Sequence, residues 1–222
     1  MAILPADQLV TEMELAILFL DIRDFTGLLQ HGSEKENIQT IKKLLDLFVK
    51  IITNFGGNII NRAGDGLYAV FGLDTTLRTA AKQALRSTKM LFESLEFVNQ
   101  EFALSKFGFP LEVGIGLHTG KVIVEHEYSE DMPLSVMGLP VNIAARLQAH
   151  TKKVDNDLIL SDAFYSQLAV VEHEKLGKNK KQVAIPGVRA LQTIWLAGRS
   201  YHKVCNNYTL GITLDHHMAI AG

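Results

Sequence analysis

The chain has little cysteine, little net charge and no long apolar run. Its 222 residues include a single cysteine, Cys205. No internal disulfide can form, which fits a reducing compartment and makes the cytoplasm the expected location. Lys plus Arg total 22 against 24 Asp plus Glu, a formal net charge of −2. That balance carries no nucleic-acid footprint, so no nucleic-acid partner is expected. No apolar stretch approaches the roughly 20 residues that span a bilayer, so no membrane segment is expected either. Residues 1–10 lack a basic start, carry Asp7 early and do not read as a signal peptide. Internal repeats and low-complexity segments are also missing. With 47% hydrophobic and 21% charged residues, the chain has the composition and length of one globular domain.

Residues 14–22 are rich in aliphatics and read as a buried strand. Ser33 is placed to cap a helix with Glu34 and Glu36 in its first turn. Ile38, Ile41, Leu45, Phe48 and Ile52 then recur at helical spacing, and Gly56-Gly57 ends the run. Residues 58–62 and 67–71 read as short strands joined at Ala63-Gly64-Asp65-Gly66, a hairpin signal. A long helix follows, with Leu77, Ala81, Ala84, Thr88, Leu91, Leu95, Val98 and Phe102 on one stripe. Residues 111–118 alternate as a strand, Gly120 breaks it, and residues 121–125 continue as a second strand. Pro140 suits the start of a helix over residues 141–149. A strand at residues 158–160, a short helix from Asp162, and strands near residues 183–185 and 191–196 complete the chain. Residues 175–181 hold four lysines and read as a solvated loop. This order predicts an α/β sandwich, a largely antiparallel sheet with helices packed on it.

Four spaced residues point to chemistry on a nucleoside triphosphate: Asp21, Asp65, Asn142 and Arg146. Two carboxylates can hold divalent ions, and an amide and a guanidinium can grip a sugar and a phosphate. Asn142 and Arg146 are four apart, so a helix puts them on one face. Each residue also has an ordinary reading. An Asp after a strand is most often a turn or cap residue, Asp65 alone is a hairpin tip, and an Asn–Arg pair is usually a solvated helix face. Asp24 reads as a helix cap rather than a third ligand. His118 reads as a packed residue, because no other His or Cys has matching spacing.

Taken together, the motifs resemble the catalytic domain of class III nucleotidyl cyclases. Phe19-Leu20-Asp21-Ile22-Arg23-Asp24-Phe25-Thr26 is similar to the first metal-site motif, and Gly64-Asp65-Gly66-Leu67-Tyr68-Ala69-Val70-Phe71-Gly72 to the second. Gly114-Ile115-Gly116-Leu117-His118-Thr119-Gly120 is similar to the family's strand-turn segment. Gly138-Leu139-Pro140-Val141-Asn142-Ile143-Ala144-Ala145-Arg146-Leu147 is similar to its transition-state motif. The order and spacing of all four carry the resemblance.

The resemblance implies a ferredoxin-like cyclase catalytic domain over residues 14–198, between an N-terminal lead, 1–13, and a C-terminal extension, 199–222. It implies attack of the ribose 3′-hydroxyl on the α-phosphate with loss of pyrophosphate, and two Mg²⁺ or Mn²⁺ ions per active site. Asp21, Asp65 and the Ile22 carbonyl would hold the metals, and Phe25 and Thr26 would meet phosphate. Asn142 would orient the ribose, and Arg146 would stabilise charge on the α-phosphate. The family's site lies between subunits, so a chain carrying every part implies a homodimer with two sites.

Base selection departs from the purine-specific pattern. Asn61 stands where adenylate cyclases commonly have Lys, and Ser135 where they commonly have Asp or Thr. Pro186 occupies the place of the usual polyphosphate lysine, with Lys181 or Arg189 as conceivable substitutes. An Asn amide pairs with uracil in one orientation and with cytosine or adenine when flipped. Arg62 reads as pointing to solvent. The chain has almost nothing outside the catalytic segment, and in this it is similar to the stand-alone bacterial pyrimidine cyclases of anti-phage signalling. The expected substrate is therefore UTP or CTP, with ATP as the alternative and GTP third. A catalytically silent nucleotide-binding regulatory module and another two-metal phosphotransferase are the competing classes.

Overall fold

The first aliphatic run forms the centre of a mixed sheet. A computed structural model describes residues 10–125, 134–176 and 179–201. Strand β1, Val10–Ile22, begins four residues before the expected start. It pairs antiparallel on one edge with β3, Gly66–Phe71, and on the other with β4, Val113–Glu125. The hairpin partner β2 is Gly57–Ala63. Strands β5, Ser135–Met137, β6, Leu158–Ser161, β7, Lys180–Val183, and β8, Gln192–Leu196, complete the order β2-β3-β1-β4-β6-β8-β7, with β5 on the far end of β4. Only β4 and β6 run parallel, so the sheet is largely antiparallel as expected.

The helices are α1, Phe25–Leu29, α2, Glu34–Asn54, α3, Leu77–Val98, α4, Leu104–Phe107, α5, Leu139–Val154, α6, Asp162–Tyr165, and α7, Val170–Leu176. Ser33 caps α2 by accepting from the Glu36 amide, and Gly56 at φ 83° follows its end. Pro140 sits in the first turn of α5.

Alternation along β1 divides the interior. Ala16, Leu18, Leu20 and Ile22 join α2 and α3 in the larger core, beside Phe48, Ala84 and Leu91. Leu15 and Ile17 face the other way and pack with Val122, Val124 and Ala144 of α5. Asp21 shares their parity and so belongs to the α5 side of the sheet.

Several expectations fail for physical reasons. Gly120 does not break a strand: β4 runs unbroken through it, opposite Leu15. The glycine is there for space, since a Cβ would meet Pro140 Cγ at 2.7 Å. Phe102 leaves the buried stripe and is 41% exposed. A π-helical turn over Asn99–Ala103 adds a residue, so Asn99, Ala103 and Phe107 are buried in its stead. The strand expected near residues 183–185 is β7 and ends at Val183. Lys180 and Lys181 therefore lie on a strand, not in a loop. Asp24 holds the N-cap position of α1 in a left-handed conformation, φ 48°, without a side-chain cap bond. The lead before Val10, residues 126–133, residues 177 and 178 of the lysine-rich stretch, and the extension beyond Tyr201 with Cys205 lie outside the described residues.

Candidate active site

Asp21 lies near the end of β1, opposite Gly66 and Gly114. Asp65 occupies the tip of the β2–β3 hairpin, where Gly64 takes a φ of 56°. The tip is tied to the strand end, because the Ile22 amide donates to the Asp65 carbonyl at 3.1 Å. The two carboxyl groups are close enough for Asp65 to bear on the ionisation of Asp21. Burial, and next the charge of Asp65, raise Asp21 above its usual pKa against the pull of Lys152 and Arg23.

Like charges held together by the backbone favour a cation between them. The donor set fits Mg²⁺ or Mn²⁺, which take one or two carboxylates and fill the remaining positions with water and phosphate oxygens. Among the described residues no group of three or more His, Cys, Asp and Glu is placed to hold a metal ion. The Ile22 side chain is buried in the core, leaving only its backbone to the site. Phe25 and Thr26 open α1 directly after the strand end, Phe25 against the core and Thr26 exposed.

Asn61 and Asp21 line one cavity of about 160 Å³, together with Phe19, Ala63, Tyr68 and Gln148. The Phe19 and Tyr68 rings stack with centroids 4.5 Å apart. Asn61 pairs with Tyr68 just past a bulge in β2. The Tyr68 hydroxyl donates to the Val136 carbonyl at 3.2 Å, and Val136 follows Ser135 on β5. One tyrosine thus spans from the strand that faces Asn61 to the strand that bears Ser135. Burial raises the Tyr68 phenol, which stays protonated and keeps donating. Arg62 is turned away from the cavity. It binds the Asp46 carboxylate and the Lys42 carbonyl on α2.

The helix that carries Asn142 and Arg146 rests on backbone. A Cβ on Gly116 would come 2.6 Å from the Ala144 carbonyl oxygen, and one on Gly114 would overlap Thr151 and Arg23. Gly114, Gly116 and Gly120 therefore form a track on β4 along which α5 lies. His118, on the same strand, is 7% exposed and bonded through Nδ1 to the Ser161 hydroxyl at 2.8 Å. Burial lowers its pKa to about 4, as a packed neutral imidazole requires.

Asn142 and Arg146 are both exposed. Gln148 of the same helix lines the Asp21 cavity, and Lys152 acts on Asp21. At about 100° per residue, Arg146 points to the opposite side of α5 from Gln148. It faces the β7–β8 turn, where a Cβ on Gly187 would lie 3.4 Å from Arg146 Nη2. Pro186 and the exposed Arg189 flank that glycine, while the exposed Lys181 sits on β7. One chain therefore brings Asp21, Asp65 and Asn61 together but holds Arg146 apart from them. A larger cavity, about 640 Å³ between α3 and α7, contains none of these residues.

Sequence reasoning passed over Phe19, Tyr68 and Gln148. Phe19 had a signal, since it precedes Asp21 by two on a strand and shares its face. The bond from Tyr68 to Val136 had none.

Residues 9–198 match the family model described as the adenylate and guanylate cyclase catalytic domain. Adenylate cyclase 1 of Rhizobium meliloti is 28% identical over 75% of this chain and 25% of its own length. The adenylate cyclase of Anabaena cylindrica is 27% identical over 78% of this chain and 34% of its own. The chain thus spans about a quarter to a third of the length of these relatives. The crystal structure of the adenylyl cyclase CyaB from P. aeruginosa superposes with a TM-score of 0.73 at 22% identity, covering 86% of this chain and 96% of that one. The guanylyl cyclase Cya2 gives 0.71 at 25% identity, covering 86% and 95%. The fold, the paired aspartates and the family match over most of its length place this chain in the adenylate and guanylate cyclase catalytic domain family.

Proposed function

We propose that this protein is a nucleotidyl cyclase that forms a 3′,5′-cyclic nucleotide and pyrophosphate from a nucleoside triphosphate. The observation that carries the reading is the Asp21–Asp65 pair beside the cavity that Asn61 shares. The divalent ions, when bound, lower the pKa of the 3′-hydroxyl and neutralise polyphosphate charge. Asp21, Asp65 and the Ile22 carbonyl would hold them. The 3′-hydroxyl gives up its proton to solvent, its oxygen bonds to the α-phosphorus, and the bond to the pyrophosphate oxygen breaks. Arg146 meets the charge that builds on the α-phosphate, and Asn142 fixes the ribose. Phe25 and Thr26 open α1 just after the strand end, and there they would meet the polyphosphate.

Arg146 is turned away from the aspartates of its own chain, which supports a site shared by two copies. An apolar patch supports a homodimer as well. Val10, Ile123, Met137 and Leu139 are 40–58% exposed, and Ile123 pairs directly with Met137.

For the base we favour a pyrimidine, UTP or CTP, in bacterial antiviral signalling. The support is chemical. Asn61 brings an amide, not the charge common in adenylate cyclases, and the Phe19–Tyr68 stack narrows the cavity beside it. ATP is the second reading, favoured by the names of the two bacterial relatives. No described helix is long and apolar enough to cross a membrane, and a cytoplasmic enzyme is the working picture. The test is to offer ATP, GTP, CTP and UTP separately with Mn²⁺ and read the products by mass spectrometry. Cyclic UMP or cyclic CMP as main product is expected. Cyclic AMP would overturn the base assignment, and no cyclic product would move the protein to the regulatory-module class.

A further inference from the structure

Arg23 lies in the turn just past the end of β1, two residues beyond Asp21, and its charge acts on the Asp21 carboxyl. A guanidinium beside two carboxylates ordinarily closes on them as an ion pair. Here it does not: neither Asp21 nor Asp65 is among its partners. The guanidinium lies instead over Gly114, the register partner of Asp21, in space that any Cβ would fill. Four contacts hold it there. Nε and Nη2 donate to the Tyr201 hydroxyl at 3.0 and 2.6 Å, Nη2 also donates to the Thr151 hydroxyl of α5, and the guanidinium carbon sits 4.9 Å from the centre of the Tyr201 ring. Nη1 is buried without a hydrogen-bond partner. A group left partly unsatisfied beside two anions is under tension toward them.

Tyr201 is itself fixed. Its hydroxyl donates to the Val113 carbonyl at 3.2 Å, and its amide donates to Asp155 Oδ1 at 3.1 Å. Ser200 donates to the same carboxylate, and Arg199 pairs with Glu96 and Asp157. Residues 199–201 thus form a strap across the ends of β4 and α5. The strap lies past residue 198, where the family match ends.

We propose that Tyr201 is a positioning residue that holds Arg23 off the aspartate pair and so keeps Asp21 and Asp65 available to divalent ions. The proposal rests on the metal reading above. Without the hydroxyl, Arg23 turns toward Asp21 and competes with the metal for the same oxygens.

The test is Mn²⁺ binding by paramagnetic resonance of the free ion, with no nucleotide present, on the full chain. Tyr201→Phe keeps the ring and removes the hydroxyl's two hydrogen bonds from Arg23 together with its own to the Val113 carbonyl. It should bind Mn²⁺ about tenfold more weakly, the worth of one hydrogen bond to a charged group, with an unchanged circular dichroism spectrum. Arg23→Met removes the competitor, so adding Tyr201→Phe to it should cost no further affinity. Equal Mn²⁺ binding by Tyr201→Phe and the unsubstituted chain would overturn the proposal and leave the metal reading standing. A tenfold loss that persists in the Arg23→Met background would also overturn it, because Tyr201 would then act through packing alone. No Mn²⁺ binding by the unsubstituted chain, with Asp65→Ala as the blank, would overturn the metal reading and this proposal with it.

Discussion

The acidic half of the site and the helix that bears Asn142 and Arg146 are built by opposite means. Asp21 and Asp65 come from a strand and a hairpin tip tied by a backbone hydrogen bond, and the Asp21 carboxyl is half-buried and perturbed by its neighbour. Asn142 and Arg146 are exposed side chains on a helix whose position is set beneath them by glycines. Among the described residues Arg146 has no hydrogen-bond or ion-pair partner. The first half is finished within one chain. The second presents groups outward, as a surface does before it meets its complement.

The largest effect should come from the finished half. Asp65→Ala removes one of the two carboxylate ligands from a hairpin tip and should lower cyclic-nucleotide formation at least about a thousandfold, with the thermal midpoint nearly unchanged. Retained turnover would break the division at its root. Next comes a mixture of inactive chains. Asp65→Ala and Arg146→Ala chains, refolded together in equal amounts, should recover about a quarter of the unsubstituted activity, because half the dimers are mixed and each has one intact site. Zero recovery would mean that one chain supplies both halves.

Gly116→Val probes how the helix is seated. Its side chain would enter the α5 backbone at Ala144 and Gln148 and should cost about 3 kcal/mol of stability by overpacking, read from urea unfolding. The same change on a strand facing open space would be nearly neutral.

The last contrast separates the halves by their response to acid in metal-free protein. His118, beneath α5, falls to about 4 from 6.5. The unfolded chain binds its proton first, so the stability it contributes is complete above pH 6.5. That contribution is lost as pH falls toward 4, by up to about 1.4 kcal/mol per pH unit. Asp21 is raised, so its contribution has the opposite sign: present in acid, lost as pH rises through its folded value. His118→Gln should therefore flatten the acid loss in a urea titration between pH 6.5 and 4, while Asp21→Asn should steepen it.

These contrasts also explain what could be read in the chain. The capped helix after Ser33, the Gly64-Asp65 hairpin and the helix after Pro140 follow from local rules, since cap, turn and periodicity act within a few residues. The carboxylate pair was legible because each Asp follows a strand-like run with its own motif. Gly120 was misread because a glycine that admits a helix looks the same in sequence as one that admits a turn. The Tyr68–Val136 and Arg23–Tyr201 bonds join residues 68 and 178 apart, and neither end has a pattern that names the other. The side of α5 on which Arg146 stands was readable only once Gln148 was seen in the Asp21 cavity.

The π turn at Asn99–Ala103 has a bearing on how related chains should be compared. Asn99 is clamped to Leu111 through both its amide nitrogen, 2.9 Å, and its oxygen, 2.7 Å. That clamp keeps the two ends of the long helix in phase with the core while one surplus residue is stored between them. Phe102, pushed outward, is the visible surplus. A shorter relative should lose its residue here before anywhere else along the helix, and an alignment that places the gap elsewhere will shift Ala103 and Phe107 out of register.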